Sequence, residues 1–151
     1  MTIPSGQDPA PLLAVEGLRK TYPLPGKGRL TAADGIGFTV PAGGSLGIVG
    51  ESGSGKTTVA RMLVGLVRPD AGTVRVEGRA RGLAAPRGGA ARLARAREIQ
   101  MVFQDPYLSL DPRLTARRCL TTALRLHGRP ADLADGLLDR VGLGGGGARG
   151  R

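Results

Sequence analysis

Residues 50–58 read Gly50-Glu51-Ser52-Gly53-Ser54-Gly55-Lys56-Thr57-Thr58, and no other stretch of the chain narrows the possible folds as much. The run fits G-x-x-x-x-G-K-[ST], the phosphate-wrapping P-loop. Phosphate groups need many hydrogen-bond donors at close range. Gly50, Gly53 and Gly55 leave the backbone room to curl and aim successive N–H groups inward. Lys56 supplies a point charge for the β- and γ-phosphates, and the Thr57 hydroxyl suits a magnesium ion. The context fits the motif. Ser45-Leu46-Gly47-Ile48-Val49 before it reads as a short buried strand. Val59, Met62, Leu63 and Leu66 after it recur at helical spacing. The N-terminus of that helix would add the positive end of its dipole to an anion site.

Composition limits the rest. With 151 residues, the chain has room for one domain at most. Apolar residues make up 40% but aromatics only 3%, so a core must be built from Leu, Val, Ile and Ala. The single Cys119 leaves no internal disulfide and no cysteine metal cluster to expect. No basic segment followed by an apolar run opens the sequence, and no run of about 18 apolar residues occurs, so neither a secretory leader nor a membrane span is expected. The net charge is +10, from 22 basic and 12 acidic residues. Its densest run is Arg79, Arg81, Arg87, Arg92, Arg95 and Arg97. No recognition motif or interleaved aromatic accompanies this charge, so it reads as a solvated loop and helix face, and nucleic acid is not expected as a partner.

Taken in order, residues 1–11 are rich in proline and read as a disordered lead. Residues 12–18 read as the first strand, followed by a loop rich in Pro and Gly. Tyr22 lies just past that strand. From spacing alone it reads more simply as a half-buried edge tyrosine than as an aromatic that stacks on a base. Residues 36–40 read as a second strand, with a turn at 41–44. The P-loop helix is expected to end near Val67, before a turn at residues 68–72. Residues 73–77 alternate and read as a half-exposed strand. Residues 78–90 read as loop, 91–97 as a short basic helix, and 99–103 as a buried strand delivering Gln104-Asp105-Pro106 to its end. Two helical stretches follow. Ala116, Leu120, Ala123 and Leu124 share a face of the first, which His127 and Gly128 close. Pro130 opens the second, with Leu133, Leu137, Leu138 and Val141 inward.

In this order the segments resemble the ATP-binding subunits of ABC transporters. The first strand with Tyr22, the P-loop, Val64-Gly65-Leu66-Val67-Arg68-Pro69-Asp70-Ala71-Gly72-Thr73, and Val102-Phe103-Gln104-Asp105-Pro106 all match that family. Tyr107-Leu108-Ser109-Leu110-Asp111-Pro112-Arg113-Leu114-Thr115 resembles the oligopeptide and dipeptide importer branch. The resemblance covers about residues 12–143. It implies an α/β P-loop NTPase fold of the ABC ATPase type. Only the N-terminal part is represented: an antiparallel β subdomain, a partial parallel core and the start of a helical subdomain. It also implies ATP and Mg²⁺ as cofactors. Tyr22 becomes the adenine platform beside Gly50, Ser52, Gly53, Ser54, Gly55, Lys56, Thr57 and Thr58. Gln104 becomes a Mg²⁺ and water contact alongside Thr57, since an amide carbonyl is a hard but neutral ligand. The implied partners are transmembrane permease subunits and a second ATP-binding subunit, at the cytoplasmic face of the membrane. The loop from Gln104 to Arg113 is expected to be exposed towards a permease.

The match stops at residues 144–151, a Gly/Arg tail expected to be disordered. The family's Leu-Ser-Gly-Gly-Gln signature, its Asp-Glu strand end and its switch histidine are not found. A shortened or frame-shifted reading frame is the simplest expectation for that departure. Leu137-Leu138-Asp139 only mimics the Asp-Glu strand, because its spacing is helical. The lone His127 lies too early to be the switch residue. No catalytic set is complete, since no carboxylate stands ready to polarise a water. The leading expectation is an ATP-binding subunit fragment, inactive alone, whose intact protein couples ATP hydrolysis to peptide uptake. A non-catalytic nucleotide-binding or interaction fragment and a soluble ABC ATPase acting on nucleic acid stand as alternatives.

Overall fold

The computed structural model describes residues 10–26, 28–105 and 110–144. The chain divides into two compact units, Met1–Met101 and Val102–Arg151. Most of the expected disordered lead and tail lies outside the described residues.

The first unit is built on a four-stranded antiparallel sheet in the order β2-β1-β3-β4. Strand β1 (Leu13–Leu24) turns back through Pro25 and Gly26 into β2 (Gly28–Val40). Both strands are longer than the sequence patterns predict, and the Pro- and Gly-rich loop expected after residue 18 is mostly ladder. Lys20 pairs with Ala33, and Tyr22 with Leu30. On its other edge β1 pairs with β3 (Ala71–Val76), which continues into the short β4 (Arg79–Ala80). Glu77 and Gly78 both hold positive φ between them, as a two-residue hairpin loop requires.

Val15 and Leu18 are both buried although strand periodicity would send them to opposite faces. The register of β1 against β2 shifts between them, and Gly17 adopts φ +59°. This bulge adds one residue and returns Leu18 to the core face. Helix α1 (Lys56–Val64) packs Val59 and Met62 into a cluster with Val15, Leu18, Ala33 and Val74. Its C-cap Gly65 lies in the left-handed region and donates to the carbonyls of Arg61 and Met62, so the helix ends before the predicted Val67. Leu66, expected on the buried stripe, is consequently past the helix end and exposed.

Helix α2 (Gly89–Glu98) buries none of its own residues. It is tied down instead by Arg81, whose side chain is only 4% exposed. The Arg81 guanidinium pairs with Glu98 at 3.0 Å and donates to the carbonyls of Arg95, at 2.9 Å, and Leu63. Burial is the largest influence on Arg81 and disfavours its charge. Arg95 adds to that effect, and Glu98 opposes it. Arg95 donates to the carbonyls of Gly82 and Ala84. The arginine run expected as a solvated face is thus partly a structural clamp.

No described residue outside this sheet forms a strand. Residues 45–49 and 99–103, expected as strands of a parallel core, are not strands of any sheet among the described residues. A parallel strand takes its partners from other crossover units, and the described residues form no such partner. Leu46, Ile48 and Val49 line a cleft of about 450 Å³ with Ile36, Phe38 and Val59.

In the second unit, α3 (Ala116–Leu126) packs against α4 (Leu133–Arg140). The Thr115 side chain caps α3 by accepting from the Arg118 N–H, and His127 closes its C-terminus through its own backbone N–H. Arg117 grips Asp135 with two hydrogen bonds, of 2.7 and 2.9 Å. Of the residues predicted inward on α4, Leu138 is buried and Leu137 half-buried, whereas Leu133 and Val141 are exposed. The helix starts at Leu133 rather than at Pro130, and its seam runs through Ala134 and Leu138, four residues apart.

Candidate functional site

The hairpin of the first unit sets up one wall of a cleft. Tyr22 and Leu30 are directly paired across β1 and β2, and Ala32, which the shifted register skips between Thr31 and Ala33, lines the same wall. The opposite wall is Gly53, Ser54, Gly55, Lys56, Thr57 and Thr58. Together these residues enclose about 230 Å³. One side is apolar and carries an aromatic ring; the other is a loop running into a helix N-terminus.

The loop owes its path to a close approach. Gly55 holds φ +90°, and a Cβ added there would collide with the Ala32 carbonyl oxygen. Only glycine lets β2 sit this near the start of α1. The first turn of α1 has no side-chain cap and no acidic residue, so its N–H groups and dipole face the cleft uncompensated. The Lys56 ammonium donates to the Gly50 carbonyl at 2.7 Å, the Glu51 carbonyl at 2.6 Å and the Ser54 hydroxyl at 3.3 Å. It is held in position at the foot of the loop rather than swinging free in solvent.

Of the site residues expected from sequence, Tyr22 and residues 53–58 meet in this cleft, while Gly50 and Ser52 lie in the same loop outside its lining. Thr57 is exposed at the cleft. Gln104 is also exposed and belongs to the second unit. Leu110 is exposed, as expected for the loop that follows Gln104; Tyr107 and Leu108 lie outside the described residues. Among the described residues no cluster of His, Cys, Asp or Glu could hold a metal ion unaided. A magnesium ion would fit only as a companion of bound phosphates, which would supply most of its oxygen ligands, and the exposed Thr57 hydroxyl is of the right chemistry to add one.

Sequence reasoning did not identify Leu30 and Ala32, because residues 28–35 show no clean alternation. The signal that was available is the Pro25-Gly26 turn, which sets Leu30 opposite Tyr22.

A family model described as ABC transporter matches residues 33–148. A protein of Sinorhizobium fredii described as "Probable peptide ABC transporter ATP-binding protein y4tS" is 43% identical over 143 residues, covering 87% of this chain and 40% of that protein. The oligopeptide transport ATP-binding protein OppD of Mycobacterium bovis is 39% identical over 148 residues, covering 90% of this chain and 24% of that protein. The chain therefore spans well under half the length of either relative. Among solved structures, cbiO1 of Clostridium perfringens, part of the ABC transporter complex cbiONQ, superposes with a TM-score of 0.65 at 23% identity. That match covers 88% of this chain and 51% of the other.

Proposed function

The chain belongs to the ABC transporter family of ATP-binding proteins, and on that premise we propose that it binds Mg-ATP in the cleft between Tyr22 and residues 53–58. The observation that carries this reading is the lining of one cleft by an aromatic ring and a phosphate loop together. The base lies against Tyr22, Leu30 and Ala32. The phosphates take the N–H groups at the start of α1 and the Lys56 ammonium. Thr57 offers a hydroxyl to Mg²⁺. When bound, the metal would neutralise phosphate charge.

In the longer protein represented by the relatives, this module serves peptide uptake. It pairs with a second ATP-binding subunit and docks on permease subunits at the cytoplasmic face of the membrane. The names of the peptide-transport relatives support that reading. No helix among the described residues is long and apolar enough to cross a membrane itself. The arginine run favours no nucleic-acid partner, because Arg81, Arg92 and Arg95 are engaged with backbone carbonyls.

Calorimetric titration of Mg-ATP into wild type and Lys56→Ala tests the assignment. Loss of a charge-assisted contact of about 1.5–3 kcal/mol weakens binding by at least tenfold. Equal affinities would contradict it.

A further inference from the structure

Lys20 and Tyr22 are two residues apart on β1 and so share a face of the strand. The Lys20 ammonium stands 5.4 Å from the centre of the Tyr22 ring, within cation–π range. Tyr22 lines the cleft, whereas Lys20 is not among its lining residues.

What holds Lys20 there is Asp70. One carboxylate oxygen accepts from the Lys20 ammonium at 2.9 Å, and the other accepts from the Thr21 N–H at 2.7 Å. Asp70 in turn donates its own N–H to the Arg19 carbonyl at 2.8 Å. The pairing of β1 with β3 ends at Arg19 and Ala71. Asp70 therefore takes over where the paired ladder stops, its backbone N–H holding Arg19 and its carboxylate holding Thr21, on either side of Lys20. The Lys20 side chain is 16% exposed, against 39% for Asp70, so the cation is the better desolvated partner. A less hydrated cation gains more from an aromatic face.

We propose that Lys20, anchored by Asp70, is a positioning residue for nucleotide binding, fixing the Tyr22 ring as the platform on which the base stacks. The inference rests on the nucleotide reading and deepens it. Lys20 acts through the ring and not on the phosphates. Its loss therefore costs affinity only for ligands that carry a base.

The test titrates Mg-ATP and magnesium tripolyphosphate into the full 151-residue chain and its variants. In Lys20→Met, affinity for Mg-ATP falls about 2- to 5-fold, the range of an exposed to partly shielded cation–π contact. Affinity for tripolyphosphate stays at the wild-type value. Lys20→Arg restores the ATP value, because a guanidinium also stacks on aromatic faces. Unchanged ATP affinity in Lys20→Met, or equal losses for both ligands in a variant that still binds them, overturns the proposal. If Lys20→Met binds neither ligand, the near-isosteric Asp70→Asn decides. A loss confined to Mg-ATP supports the proposal, and an equal loss or none overturns it. Wild type that binds tripolyphosphate but gains nothing from the base overturns this inference while leaving the phosphate site standing. Wild type that binds neither overturns the nucleotide reading and this inference together.

Discussion

The antiparallel sheet and the stretches at residues 45–49 and 99–103 are made of similar apolar residues and end up in opposite situations. Leu18 on β1 is fully buried, whereas Val49 is 92% exposed and Val102 98% exposed. The difference lies in where each finds its partner. β1 needs only β2, its hairpin neighbour, and β3, and the core cluster closes when α1 lays Val59 and Met62 across them. An antiparallel ladder can be completed locally. A parallel strand depends on crossover units elsewhere, and a correct apolar pattern at residues 45–49 cannot supply them. Apolar sequence marks a segment as suited to burial; topology decides what buries it.

The strongest way to break this contrast is a pair of truncations followed by urea unfolding. Leu18→Ala removes a fully buried side chain from the sheet and is expected to cost about 2–5 kcal/mol. Val102→Ala removes one already in solvent and is expected to stay within about 0.5 kcal/mol. Similar losses for both would mean that Val102 is packed in solution and that the two regions do not differ as described.

A finer contrast comes from acid. The Lys20 ammonium and, next, the Thr21 N–H hold the Asp70 carboxyl below its usual value of 3.8. Arg113 does the same for Asp111, and Arg117 for Asp135. A carboxyl whose pKa is lower when folded contributes stability that is present above the unfolded value. That stability is lost as pH falls through the folded one. Stability should therefore decline below about pH 3.8, with Asp70 acting on the sheet and Asp111 and Asp135 on the helical unit. Asp70→Asn should flatten the acid limb of a pH series followed by a probe in the sheet unit, and leave that of a probe in α3 and α4 unchanged. An unaltered limb in the sheet unit would show that Asp70 does not couple to its folding.

The same two regions show what the sequence carries. That residues 53–58 form a loop leading into a helix was legible from the lysine, threonine and glycine spacing, and Tyr22, singled out by family resemblance, lies in the same cleft. Leu30 and Ala32 were not legible, since their role comes from a cross-strand register that no local pattern encodes. Asp70 read as an ordinary turn residue, because its partners, Lys20 and Thr21, are about 50 positions away. Arg81 read as surface charge, because only the fold brings the carbonyls of Leu63 and Arg95 around it. Ala134 replaced Leu133 on the seam of α4 once the helix start moved. Composition and motif carry chemistry well; pairings distant in the chain appear only when the chain is folded.

The proposed nucleotide site of this chain is the cleft between Tyr22 and residues 53–58. Hydrogen exchange by mass spectrometry, with and without Mg-ATP, tests it most directly. The account predicts slowed exchange in peptides covering residues 53–58, where phosphate oxygens would accept from backbone N–H groups at the start of α1. It predicts no change in peptides of α3 and α4. Protection confined to α3 and α4, or none anywhere at saturating Mg-ATP, would contradict it.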